Sequence, residues 1–146
     1  MSTTTSLPTL FGRITVIAAE HERLGETLGR ISAMCTTLES EHPDLTPDLQ
    51  PGPLLVALLA ELSEHFAAEE ADAYFGALVQ DRPAFAPQIA ELRAEHRAML
   101  ETVRALCEIA TKAPGSRGLS SPTWGLIARL RAHERTESEL LREFFS

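Results

Sequence analysis

Apolar residues recur along this chain at alternating steps of three and four. One run passes through Leu10, Ile14, Ile17, His21, Leu24, Leu28, Ile31, Cys35 and Leu38. A second is Leu55, Leu58, Leu62, His65 and Glu69, and a third is Ile89, Leu92, His96, Met99, Val103 and Leu106. The fourth is Leu126, Leu130, His133, Glu137, Leu140 and Phe144. Such steps keep side chains on one face of an α-helix, and their mean matches the seam of a bundle with a left-handed twist. Punctuation divides the runs: Pro8, the loop SEHPDLTPDLQPGP ending at Pro53, Asp81-Arg82-Pro83, and APGSRGLSSP from Ala113 to Pro122. Ser121-Pro122 reads as a helix start, with Ser capping free amides and Pro fitting the first turn. The predicted helices cover roughly 9–40, 54–80, 84–112 and 122–145. Short links favour antiparallel neighbours. The expected fold is all-α, an antiparallel up-down-up-down four-helix bundle spanning residues 1–146 as one domain.

What breaks the stripes is polar. Each helix carries one histidine in its seam, and the second and fourth add a glutamate one turn later, as His65-x-x-x-Glu69 and His133-x-x-x-Glu137. The four histidines lie about 11–13 residues from their helix starts, which at about 1.5 Å per residue is roughly 16–20 Å along each axis. Helices running up and down then bring them to one level. A faint internal repeat accompanies this, with Ala-Glu-His at Ala19–His21 and at Ala94–His96.

Composition narrows the partners. The net charge of −8 over 146 residues disfavours nucleic-acid backbones and anionic membrane surfaces. No apolar run reaches the roughly 18 residues of a membrane span. The opening MSTTTSLPTLFG lacks a basic segment followed by a long apolar one, so no signal peptide is expected. Cys35 and Cys107 sit within helical patterns, reading as reduced thiols of a cytoplasmic protein. His42, in the loop, reads as a surface residue.

Four imidazoles and two carboxylates in one apolar layer need a common partner, because an unpaired buried carboxylate costs several kcal/mol. A pair of metal ions supplies one. Imidazole with carboxylate suits Fe, Mn or Zn, and the lack of thiolate disfavours copper and iron–sulfur sites. The candidate metal ligands are His21, His65, Glu69, His96, His133 and Glu137. A lone seam histidine is more often a hydrogen-bonded core residue, so the weight rests on the coincidence of all six at one depth. A metal-free helical interaction module, its polar layer satisfied by internal hydrogen bonds, is the contrasting reading.

The order His, His-x-x-x-Glu, His, His-x-x-x-Glu over nearly the whole chain resembles the hemerythrin-like family of HHE cation-binding domains. The resemblance implies a non-haem di-iron site with an oxo or hydroxo bridge, His21 and His65 serving one iron, His96 and His133 the other, and Glu69 and Glu137 bridging. The chain departs from the oxygen-carrying members. They place a second histidine one turn after the third-helix ligand, where this chain has Leu100. Their last carboxylate is an Asp one residue further from its histidine than Glu137. The pattern fits the bacterial variants better and leaves coordination positions for water or a further carboxylate from Glu61, Glu64, Glu95 or Glu134.

The expected function is binding, reducing or sensing small oxidants, namely dioxygen, peroxide or nitric oxide; iron buffering or sensing is the alternative within metal binding. No nucleophile motif, phosphate loop or catalytic acid–base pair beyond the ligands is visible. An aromatic plug of Phe11, Tyr74, Phe75, Phe85, Phe144 and Phe145 is expected at one end of the bundle, with Cys35, Cys107 and Trp124 at the other.

Overall fold

Four long helices carry the stripes. The computed structural model describes residues 7–41 and 43–146; His42 lies outside the described residues. Helix α1 is Leu7–Leu38. Helix α2 is Pro51–Glu70, followed after Ala71 by a π-turn, Asp72–Gly76, and the short α3, Ala77–Asp81. Helix α4 is Ala86–Lys112 and α5 is Ser120–Phe145. The described residues contain no strand.

Contacts fix the topology. Thr27 on α1 bonds Glu61 on α2, while His21 packs beside His65. Glu70 meets Arg93 on α4, and His96 meets His133 on α5. Phe11 stacks on Phe145, and Trp124 donates to Glu39 at the other end. In each neighbouring pair one residue number rises as the other falls, so the bundle runs up-down-up-down, with α1 beside α2 and α5, and α4 beside α2 and α5.

The stripes are the core. Every apolar stripe residue is buried except Ile14, which is half-buried. Each such aliphatic side chain contributes roughly 1.5–3 kcal/mol by leaving water. Two apolar clusters flank the histidine level. One is mainly aliphatic, from Leu24 through Leu38, Leu54 to Leu62, Met99 to Ala110 and Leu119 to Leu130, with Cys107 and Trp124 against it. The other contains Tyr74, Phe75, Phe85 and Phe144. The expected plug is thus at one end, although Phe11 and Phe145 stack on its outside and stay about half exposed.

Three boundaries differ from the sequence reading. Helix α2 starts at Pro51, not 54, because prolines in a first turn cost no intrahelical hydrogen bond. Ser121 does not cap α5, which continues directly from a 3₁₀ turn at Arg117–Leu119; that turn is capped by Ser116, whose hydroxyl accepts from the Gly118 amide. The largest difference is the break of the second helix at Ala71, whose backbone is extended (φ −64°, ψ 151°). Continuing the Glu69 seam by threes and fours would face Asp72, Ala73 and Gly76 inward. The break instead turns Tyr74, Phe75 and Leu78 to the core, each fully buried. Burying two aromatics and a leucine, at roughly 1.5–3 kcal/mol each, outweighs the one or two backbone bonds disturbed, at about 1 kcal/mol net each.

Candidate metal centre

His65, Glu69, His96, His133 and Glu137 are all buried, between 0 and 3 % exposed, and His21 is half-buried. Two groups of donors form. In one, ligand atoms of His21, His65 and Glu69 all lie within 4.8 Å of one another; in the other, those of Glu69, His96 and His133 do. Glu69 is common to both. Its Oε1 is 3.4 Å from His65 Nε2 and 3.2 Å from His96 Nε2, yet neither of its oxygens has a hydrogen bond. Glu137 stands beside these groups. Its Oε2 is 3.8 Å from His133 Nε2 and has no hydrogen-bond partner, while its Oε1 accepts from the Tyr74 hydroxyl at 2.8 Å.

Carboxylates hold the outer edges of three imidazoles, each from an adjacent helix. His65 Nδ1 faces Glu20 Oε1 at 3.4 Å, His96 Nδ1 faces Glu70 Oε2 at 3.0 Å, and His133 Nδ1 faces Glu95 Oε2 at 2.5 Å. A carboxylate oxygen accepts, so each Nδ1 is placed to donate to it, which leaves the other ring nitrogen, Nε2, facing inward. Phe66 stacks on His96 at 3.9 Å between centroids, with the rings 9° from parallel, which limits tilting of that imidazole.

The consequence is a surplus of acceptors. His96 Nε2 and His133 Nε2 face each other at 3.0 Å, and the carboxylate of Glu69 stands beside them. Buried polar atoms are otherwise nearly always paired, but His21 Nε2, both oxygens of Glu69 and Oε2 of Glu137 are not. Lone pairs directed at one another without a proton between them are unfavourable; a cation at the same point satisfies all of them. The residues therefore fit a metal.

Without an ion, burial works against charge on every member that shifts. His96 is pushed down to about 2, first by burial and then by the neighbouring His133 and His65. His21 and His65 are also lowered, mainly by burial. Glu69 is raised well above the usual carboxylate range by burial and by the nearby Glu137. Burial and the Glu137 carboxylate also push the Tyr74 hydroxyl far up, which keeps it a donor.

A family profile described as Hemerythrin HHE cation binding domain matches residues 13–144. The chain belongs to that family. Comparisons with curated proteins and with solved structures gave no significant match. The hemerythrin HHE assignment makes cation binding its coarse function, and the His/Glu groups above are where such binding is geometrically available. Among the described residues of this hemerythrin-like chain, no helix is long and apolar enough to cross a membrane.

Of the flanking acids named from sequence, Glu95 holds His133 from outside and Glu64 is exposed. Glu61 is engaged by Thr27 at 2.9 Å. Glu134 is half-buried, and burial raises its carboxyl. Sequence reasoning missed Tyr74 as a site residue, and missed Glu20 and Glu70 as partners of the histidines. Glu20 and Glu70 were findable: each adjoins a seam residue in sequence, His21 and Glu69, a position that looks toward the next helix.

Proposed function

We propose that this chain is a non-haem di-iron protein that binds, reduces or senses small oxidants such as dioxygen, peroxide or nitric oxide. His21 and His65 would hold one ion, His96 and His133 the other, with Glu69 between them and Glu137 alongside. The observation that carries this is the sharing of Glu69 by two donor groups, with both of its oxygens free of hydrogen bonds. An iron pair would supply one-electron redox chemistry that the side chains lack. Manganese or zinc satisfies the same donors, and zinc would keep the geometry while removing the redox function.

The protein's own part is selection and exclusion of water. A hollow of about 90 Å³ between α1 and α5 is lined by Ile14, Ile17, Ala18, His21, Tyr74, Glu137, Ser138 and Leu141. It offers room for a small ligand beside His21, Tyr74 and Glu137. Its mostly apolar wall suits neutral ligands. A second hollow, about 170 Å³, reaches the outer side of His133 between Glu95, Met99 and Arg129. The ring nitrogen on that side is already engaged by Glu95. With the net charge of −8, this supports a small molecule as partner over nucleic acid or an anionic membrane, and the two free thiols fit a cytoplasmic setting.

Metal analysis of protein expressed with excess iron tests the reading. About two irons per chain are expected, with a yellow colour that dithionite bleaches and air or peroxide restores. Protein that takes up no iron returns the layer to the metal-free reading, and two zinc ions with no colour remove the oxidant chemistry.

A further inference from the structure

The two glutamates of the repeated motif have unequal numbers of free oxygens. Both oxygens of Glu69 are buried without a hydrogen bond, but only Oε2 of Glu137 is; its Oε1 is taken by the Tyr74 hydroxyl at 2.8 Å. We propose that Tyr74 is a positioning residue that divides the work of the two carboxylates: it occupies one oxygen of Glu137, so that both oxygens of Glu69 but only Oε2 of Glu137 would be available to a cation. This rests on the metal reading above and adds to it how the fourth-helix carboxylate is used.

Several observations make the restraint firm. Tyr74 and Glu137 are 0 and 2 % exposed, so the bond is almost wholly withdrawn from bulk water. The phenol is delivered by backbone, not by a flexible loop: the chain leaves α2 at Ala71, and the Tyr74 amide donates to the Ala71 carbonyl at 2.9 Å. Phe75 lies beside the phenol at 5.3 Å between centroids, and its own ring stacks toward His96. Tyr74 also lines the 90 Å³ hollow, together with His21 and Glu137. A carboxylate held by one oxygen pivots about that oxygen; released, it can turn both toward a cation. The hydrogen bond decides between these two arrangements.

Cobalt(II) is the probe, because its visible d–d bands report ligand number and geometry. Parent protein should take up about two equivalents of cobalt. Tyr74→Phe should also take up two, with bands shifted in position and intensity relative to parent, since Glu137 gains a second free oxygen. Phe85→Leu disturbs the same buried cluster through a ring that packs on Phe144 and not on a ligand, and should leave the bands in place. Tyr74→Phe spectra superimposable on the parent overturn the proposal. So does an equal shift in Phe85→Leu, because the effect is then one of packing. A parent that binds no cobalt overturns the metal reading itself, and this proposal with it. A measurement without mutation guards against a variant that fails to fold. Tyr74 is the chain's single tyrosine, so protein grown with 3-fluorotyrosine gives one ¹⁹F resonance. That resonance should shift and broaden as cobalt is added; a resonance that stays at its metal-free position through two equivalents shows that the phenol is not at the centre.

Discussion

On α2, the carboxylate of Glu69 is enclosed by imidazoles from two helices and has no donor. On α5, the carboxylate of Glu137, four residues after its own histidine in the same way, has a phenol on one oxygen. The outer edges differ as well. His133 is gripped by Glu95 at 2.5 Å, whereas His65 meets Glu20 at 3.4 Å. A spacing of four guarantees that His and Glu share a helix face. It says nothing about what stands opposite, and the opposite helix decides whether a carboxylate is shared, held or free. Identical motifs are therefore identical only within their own helix.

Replacing Glu69 with Leu should separate the two motifs most. Both ions lose their common ligand, so the metal-dependent stabilisation, about 4 kcal/mol at a thousandfold excess over Kd, should vanish. The metal-free protein should gain roughly 1–4 kcal/mol, because an unpaired buried carboxylate gives way to packing. Melting with and without iron reads both terms, and a Glu69→Leu protein that keeps two irons removes Glu69 from the centre. His133→Leu and Glu137→Leu should each lose part of the metal stabilisation, Glu137→Leu less, since only one of its oxygens is free. Should His133→Leu melt above the iron-loaded parent, the layer does not exist for metal.

Acid offers a further contrast. The folded His96 binds its proton at about 2 against 6.5 for the free side chain, so the unfolded chain is protonated first. Its contribution to stability is complete above 6.5 and is lost as pH falls from there toward about 2, at about 1.4 kcal/mol per pH unit for each proton. His21 and His65, also lowered, act with the same sign. Glu69, raised, acts oppositely: it favours the fold below the usual carboxylate range, and this is lost as pH rises through its elevated value. Metal-free Glu69→Leu should therefore lose stability more steeply between pH 6.5 and 5 than metal-free parent, as denaturant titrations at each pH would reveal. Equal slopes would mean that Glu69 is not held protonated.

The smallest expected effects are at the outer carboxylates. Glu95→Gln should weaken metal binding toward the upper part of the 10–100-fold range typical of such partners, and Glu20→Gln toward the lower part. Competition with a chelator measures both. Glu64→Ala, at an exposed position, serves as the reference, within about 0.5 kcal/mol of parent stability.

How much of this was legible follows from the same logic. Leu24 to Leu38 and Met99 to Leu106 obey one period without interruption, and burial is what that period encodes, so helices and core could be read directly. The level of the histidines followed from counting residues along nearly straight helices. The break at Ala71 could not be read from a breaker, because EEADAYFG places no Pro at the break and its Gly lies five residues on. Its signal was indirect: two adjacent aromatics off the seam, where the seam itself had run out into Asp72, Ala73 and Gly76. Tyr74 was missed for that reason. Its partner lies on a helix 63 residues away, a distance that no local pattern spans.

Cys35 sits in the aliphatic half of the core, fully buried, its thiol pushed up to about 11 by burial and by Glu39. At neutral pH roughly one such thiol in ten thousand is ionised, and the thiolate is the form that peroxide attacks. Cys107 is raised as well, by burial. On the proposed reading the chain thus keeps both of its thiols largely protonated beside an oxidant-binding layer, and the durability of Cys35 is set by packing in the aliphatic half of the core.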